Sequence, residues 1–250
     1  MKISMMKRIL TLTLACAMTL SLAACGSKTE APADSGDSQQ ETQQPEETKT
    51  YKAAIIKQLD HASLDEIAAA VAAELDKIAE EKGVTITYDI TSGQNDQSTL
   101  KQLSDQAIAD GVDVIIPIAT AAAQIAALSA EETQTPVVYA AVSDPEAAKL
   151  TGKDGVTGTS DALNTGFIMD MMFAQNPAIS KVGLLYSLSE PNSTKPIADA
   201  KAYLDAKGIE YVEQTANTND EVVAAASALI AAGVDTVFTP TDNDIMAAEM

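Results

Sequence analysis

Gly111-Val112-Asp113-Val114-Ile115-Ile116 returns, slightly altered, as Gly233-Val234-Asp235-Thr236-Val237-Phe238. Two further echoes flank it. Glu81-Lys82-Gly83-Val84-Thr85 is matched by Ala206-Lys207-Gly208-Ile209-Glu210, and Asn95-Asp96 by Asn219-Asp220. The offsets lie between 122 and 125 residues, so the pairs align as blocks. Each block reads strand, helix, strand, helix, strand, and each last strand runs into a polar turn. The pattern predicts an α/β protein of two doubly wound, parallel-sheet lobes joined by a hinge. Ligands of open α/β sheets gather outside the carboxyl ends of the strands, so the polar turns of the two lobes define a cleft.

Outward from the repeat, apolar runs alternate with amphipathic helical stretches, which favours parallel sheets. The first lobe is expected over 51–157. Its strands are 53–59, 85–90, 112–118 and 136–142, with helices opening near Ser63, Ser98 and Ala121. Ser63-Leu64-Asp65-Glu66 has the spacing of a capping box. The helix it opens sets Ile67, Val71, Leu75 and Ile78 on one face and stops at Gly83. The Gly- and Thr-rich stretch 152–161 is the expected hinge crossing. The second lobe, 158–250, opens with helix 163–174 and offers strands 181–187, 210–214 and 236–239, with helices 193–207 and 220–232. It then stops early: to match the first it would need roughly another 50–80 residues to reach ordinary domain size. The expectation is a second lobe that is incomplete at its C-terminus.

The N-terminus supplies an address. Lys2, Lys7 and Arg8 precede an apolar stretch, 9–22, too short for a comfortable membrane span, so 1–24 reads as a signal peptide. It closes on Leu22-Ala23-Ala24-Cys25-Gly26, which resembles a bacterial lipobox. The resemblance implies lipidation of Cys25 and anchoring of an otherwise soluble protein to the outer face of a membrane. Residues 25–50 are nearly devoid of apolar side chains and read as a flexible acidic tether with a span of roughly 25–30 Å. Its length suits a Gram-positive surface. Cys16 leaves with the signal and Cys25 takes lipid, so no cysteine remains for a disulfide, a nucleophile or a metal. The net charge of −20 serves solubility and repels nucleic acid, which is not an expected partner.

Chemistry is sparse. There is no Gly-x-Ser-x-Gly elbow, no His-Glu-x-x-His, no phosphate loop and no dinucleotide fingerprint, so no catalytic residue, metal or cofactor is assigned. The one histidine, His61, follows the first strand and borders the expected cleft. The informative polar groups sit where strands end: Gln58 and Asp60, Thr120 with Ala121, Ser143 and Asp144, Asp161, Glu190 with Asn192 and Ser193, and Thr241 with Asp242 and Asn243. Many of these are good helix caps and turn formers on any reading. Their shared edge argues for more. Thr120, Asn192 and Asn243 would each bring a helix N-terminus to the cleft, where free N–H groups favour an anion such as a carboxylate. Neighbouring aspartates would suit an ammonium. A site offering both fits a zwitterionic amino acid.

The same segments resemble a known family. His61-Ala62-Ser63-Leu64-Asp65, Gly93-Gln94-Asn95-Asp96, Ile118-Ala119-Thr120-Ala121-Ala122, Val142-Ser143-Asp144-Pro145, Val156-Thr157-Gly158-Thr159-Ser160-Asp161, Glu190-Pro191-Asn192-Ser193 and Pro240-Thr241-Asp242-Asn243 are similar, in order and spacing, to motifs of substrate-binding lipoproteins of ABC transporters of the tryptophan/tyrosine type. These are relatives of the type I periplasmic binding proteins. The family's prolines are replaced at Ala62 and Ala121. The resemblance implies an α-amino acid, often aromatic, closed between the lobes and passed to a permease with its ATPase. It places the ligand carboxylate on Thr120, Ser143 and Asn192-Ser193, and the ammonium on Asp161 and Asp242. The receptor is expected to be a monomer. A sugar or nucleoside receptor of the same fold and a surface sensor lipoprotein without transport remain open, and an enzyme is the weakest alternative.

Overall fold

A computed structural model describes residues 48–248. The signal, the lipidation site at Cys25 and nearly all of the tether lie outside the described residues. Strand β1 (Thr50–Lys57) begins inside the stretch expected to be linker. It is followed by α1 (Ala62–Lys82), β2 (Thr85–Ser92), α2 (Gln97–Ala109), β3 (Val114–Ile118), α3 (Thr120–Ser129), β4 (Val137–Tyr139) and β5 (Val156–Gly158). All five strands are parallel, in the order β2-β1-β3-β4-β5, a doubly wound arrangement whose switch point falls between β1 and β3. The second lobe holds α4 (Thr165–Gln175), β6 (Lys181–Tyr186), α5 (Pro191–Lys207), β7 (Glu210–Thr215), α6 (Asn219–Ala231), β8 (Thr236–Phe238) and α7 (Asn243–Ala247). Its parallel sheet runs β7-β6-β8, so β6, β7 and β8 occupy the places of β1, β2 and β3. The two halves of the decisive repeat therefore lie in separate, equivalent sheets.

The repeat has a physical cause. In each lobe a helix must end, turn, and hand the chain to a strand lying beside the lobe's first strand. Gly111 and Gly233 make that turn with the same left-handed backbone, φ 69°. The next residues close the helix ends, as Val112 N donates to Ala107 O and Val234 N to Leu229 O. The aspartates then fasten the strand starts. Asp113 Oδ2 accepts from Lys52 N at 2.7 Å, while Asp235 Oδ2 accepts from Ser180 N at 2.7 Å and Lys181 N at 2.9 Å. Those backbone N–H groups hold the Asp235 carboxyl below its ordinary range. The ammonium groups of Lys52 and Lys181 reach the carbonyls of Asp110 and Ala232, where a helix C-terminus favours a cation.

Several local expectations are corrected. His61 and not Ser63 caps α1: its Nδ1 accepts from Ser63 N at 3.2 Å, and Ser63 lies inside the first turn. The deepest face of α1 is Leu64, Ala68 and Ala72, with Ile67, Val71 and Leu75 on its flank, because the small alanines let the helix settle close to β1 and β3. The cap matching Asp96 on α2 is Thr218 on α6, so Asn219-Asp220 falls two residues past the true equivalence. The expected hinge 152–161 contains β5, which pairs with β4 in the first sheet, and Thr159 and Asp161 still bond to Tyr139 and Val142 of the first lobe; the chain crosses to the second lobe after Asp161. Strand β4 ends at Tyr139, short of the expected Val142, since Ala141 turns to φ 55°. The cores sit where the strands are apolar throughout. Ile55, Ile115 and Ile118 are fully buried in the first lobe, and Val182, Leu184 and Leu204 in the second.

A Cβ at Gly111 or Gly233 would meet nothing within 4 Å, so only the backbone angle resists substitution. Gly111→Ala and Gly233→Ala are each expected to lower the unfolding free energy by about 1–2 kcal/mol, the strain of an L-residue in left-handed geometry. Urea titration measures this. Values within about 0.5 kcal/mol of wild type for both, the range of an ordinary surface change, would remove the turn from the explanation of the repeat.

Candidate functional site

The carboxyl ends of β1, β3 and β4 face those of β6 and β8, and a cavity of about 160 Å³ lies between them. From the first lobe its wall takes Thr120, Ser143 and Asp161, and from the second Asn192, Thr241 and Asn243. These six expected residues thus come together. An apolar side is made by Leu64, Ile67 and Met246, with His61 beside it.

The three expected helix N-termini are not alike. Helix α7 is capped by its own aspartate, as Asp242 Oδ1 accepts from Asp244 N and Ile245 N at 3.1 Å each. Helix α5 begins at the buried carboxylate of Glu190, which makes no side-chain cap bond and would repel an anion. Helix α3 alone combines ten residues with a cap position, Ala119, that offers no side chain to its N–H groups. Ala119 holds φ 79° and ψ 165°, a region belonging almost wholly to glycine, and Ala141 holds φ 55°; both line the cavity. Backbone strain of this kind gathers at binding sites.

Other expected residues serve the join between the lobes. Gln58, 1% exposed, donates through Nε2 to Glu190 Oε1 at 2.6 Å across the cleft and to Asn95 Oδ1 at 3.0 Å. Its Oε1 accepts from Ala121 N at 3.2 Å, in the first turn of α3. Glu190 accepts at its other oxygen from Asn243 Nδ2 at 2.7 Å. A second bond across the cleft joins Asn95 Nδ2 to Asp244 Oδ1, and Ser143 Oγ lies 3.4 Å from Thr241 Oγ1. Sequence reasoning missed Asp244 altogether and gave Asn95 no role, though Asn95 stands in the polar turn after β2 and Asp244 in the first turn of α7, just past the polar turn after β8.

Asp242 is corrected. It is fully buried, and Oδ2 accepts from Ser187 N at 2.7 Å and Ser193 Oγ at 2.6 Å while Oδ1 caps α7. Neither oxygen is left for an ammonium, and the Ser193 hydroxyl is spent on Asp242, not free for a carboxylate. Asp60 is drawn away to the Lys57 ammonium at 2.8 Å and Gln94 Nε2 at 2.7 Å. Asp144 caps a turn at Ala147 N and lines a neighbouring cavity of about 480 Å³, separated from the first by Ser143 and Asn192. Asn192 donates through Nδ2 to Thr241 O at 2.6 Å and leaves Oδ1 buried without a partner.

Two like lobes, facing strand ends and a polar cavity between them define a two-lobed binding protein of the type I periplasmic class. Known proteins agree. The family model for ABC transporter substrate binding protein matches residues 52–249, and the chain belongs to that family. It is 29% identical over 220 residues to a tyrosine-binding protein of Clostridioides difficile, covering 86% of this chain and spanning 63% of that relative's length. A Streptococcus pneumoniae domain in complex with L-Trp superposes with a TM-score of 0.73 at 29% identity, over 80% of this chain and 68% of the other. A ligand-free, open substrate-binding protein with adhesive properties from Clostridium difficile gives 0.54 at 30% identity, over 78% and 67%.

Burial, reinforced by the charges of Asp242 and Asp244, raises the Glu190 carboxyl above its ordinary range; burial likewise raises Asp242. Both groups hold a proton when folded at a pH where the unfolded chain has released it. Their contribution to stability therefore grows as pH falls from neutrality toward the ordinary carboxylate range and is lost as pH rises through the raised values. The melting temperature is expected to climb between pH 7 and about 5, and Glu190→Gln to flatten that climb. Calorimetric scans across this window measure it, and an identical slope in the variant would show that Glu190 stays ionised throughout.

Proposed function

We propose that this protein is the lipid-anchored, extracytoplasmic receptor of an ABC importer that captures an α-amino acid with an aromatic side chain. The observation that carries the reading is the N-terminus of α3, whose cap residue Ala119 offers no side chain and whose first-turn N–H groups, apart from that of Ala121 taken by Gln58, open on an interlobe cavity that also holds a carboxylate. The free N–H groups of α3, with the Thr120 and Ser143 hydroxyls, receive the ligand carboxylate. Asp161, exposed at the cavity wall, receives the ammonium. The side chain lies along Leu64, Ile67 and Met246, whose thioether suits an aromatic ring. Kinship with a tyrosine-binding protein and with a domain that holds L-Trp supports the aromatic preference. Binding energy is realised only when both lobes touch the ligand, so the ligand selects the closed state and presents it to a permease and its ATPase. Cys25 carries the anchor.

Titration calorimetry with L-tyrosine and L-tryptophan is expected to give a dissociation constant near micromolar, about −8 kcal/mol, and Asp161→Ala to weaken it at least about tenfold. Failure of both amino acids to bind would overturn the ligand assignment. For the anchor, Cys25→Ser is expected to move the protein from the membrane fraction to the soluble one with an unchanged melting curve. Retention in the membrane fraction would contradict lipidation at that residue.

A further inference from the structure

Asn192 is 5% exposed and stands in the first turn of α5, among the residues lining the interlobe cavity. Its amide has two ends with different fates. The Nδ2 end is committed to Thr241 O at 2.6 Å. The opposite placement would set Oδ1 against that carbonyl, two acceptors with no proton between them, so the carbonyl dictates which end is which. Oδ1 is consequently an acceptor, buried and without a partner. Leaving such a group unpaired destabilises a protein appreciably, and natural cores rarely do so. The neighbouring donors are spoken for: the Ser193 hydroxyl goes to Asp242 and the Asn243 amide to Glu190.

We infer that Asn192 is a specificity-determining residue that accepts an N–H from the ligand's protonated amine, with the Thr241 carbonyl holding the amide in the accepting orientation. This rests on the amino-acid reading above and reverses the expectation that Asn192 serves the carboxylate. A carboxylate brings only acceptors, and Oδ1 has no proton to offer it. The division of labour then follows the geometry. The first lobe supplies donors at α3 for the carboxylate, and the second supplies an acceptor at α5 that shares the ammonium with Asp161. A ligand lacking its amine leaves Oδ1 unpaired in the closed state and is rejected on that account.

The test is a two-by-two comparison by titration calorimetry: wild type and Asn192→Ala against L-tyrosine and 3-(4-hydroxyphenyl)propionate, the same molecule without its amine. Asn192→Ala is expected to weaken L-tyrosine by at least about tenfold and the des-amino acid by less than about threefold, since the latter never made the bond. Equal losses for both ligands would show that Asn192 acts only through Thr241 and would overturn the inference while leaving the amino-acid reading intact. Absence of L-tyrosine and L-tryptophan binding to wild type would overturn both. If the alanine variant does not fold by circular dichroism, wild type decides: affinity for the des-amino acid equal to that for L-tyrosine shows that no group reads the amine.

Discussion

One side-chain amide, that of Gln58, ties the site together. It sits just past the end of β1, is almost wholly buried, and makes three bonds at once. One holds Asn95, whose own amide reaches Asp244 across the cleft. One crosses directly to Glu190 at the start of α5. The third takes the Ala121 N–H in the first turn of α3, which leaves the remaining N–H groups of that turn to a ligand. A buried amide with every partner fixed is rigid, because losing any one bond strands a polar group away from water. Gln58 therefore links the anion-binding end of α3 to the contact that brings the second lobe in.

The closing surface of the second lobe is acidic. Glu190, Asp242 and Asp244 are all buried there, and their bonded partners are neutral: amides, hydroxyls and backbone N–H groups. Buried ion pairs demand large desolvation on both sides, whereas neutral donors let the surfaces part and meet with less penalty. Such an interface suits a cleft that opens and shuts. It also explains why Asp242, plausible as an ammonium partner in sequence, belongs to the scaffold: it fastens β6, α5 and α7 to one another.

Much of this was legible in the sequence. The internal repeat, with its glycine turn and strand-fastening aspartate, dictated two equivalent parallel sheets, and polar residues at strand ends marked the cleft. What escaped reading depends on side-chain direction. Nothing in Glu190-Pro191-Asn192-Ser193 says that Ser193 turns to Asp242 or that Asn192 gives its donor to Thr241. Capping was misread at Ser63 because His61, two residues earlier, has a ring nitrogen at the same reach. The Asn95–Asp244 contact spans 149 residues and has no local signature at all.

The central claim is that a ligand between the lobes holds them in the arrangement seen here. Small-angle X-ray scattering on the purified protein, with and without saturating L-tyrosine, tests it directly. A smaller radius of gyration is expected with the amino acid, as the cleft shuts and the contacts of Gln58 with Glu190 and of Asn95 with Asp244 form. Identical scattering in both conditions, with binding independently demonstrated, would contradict it.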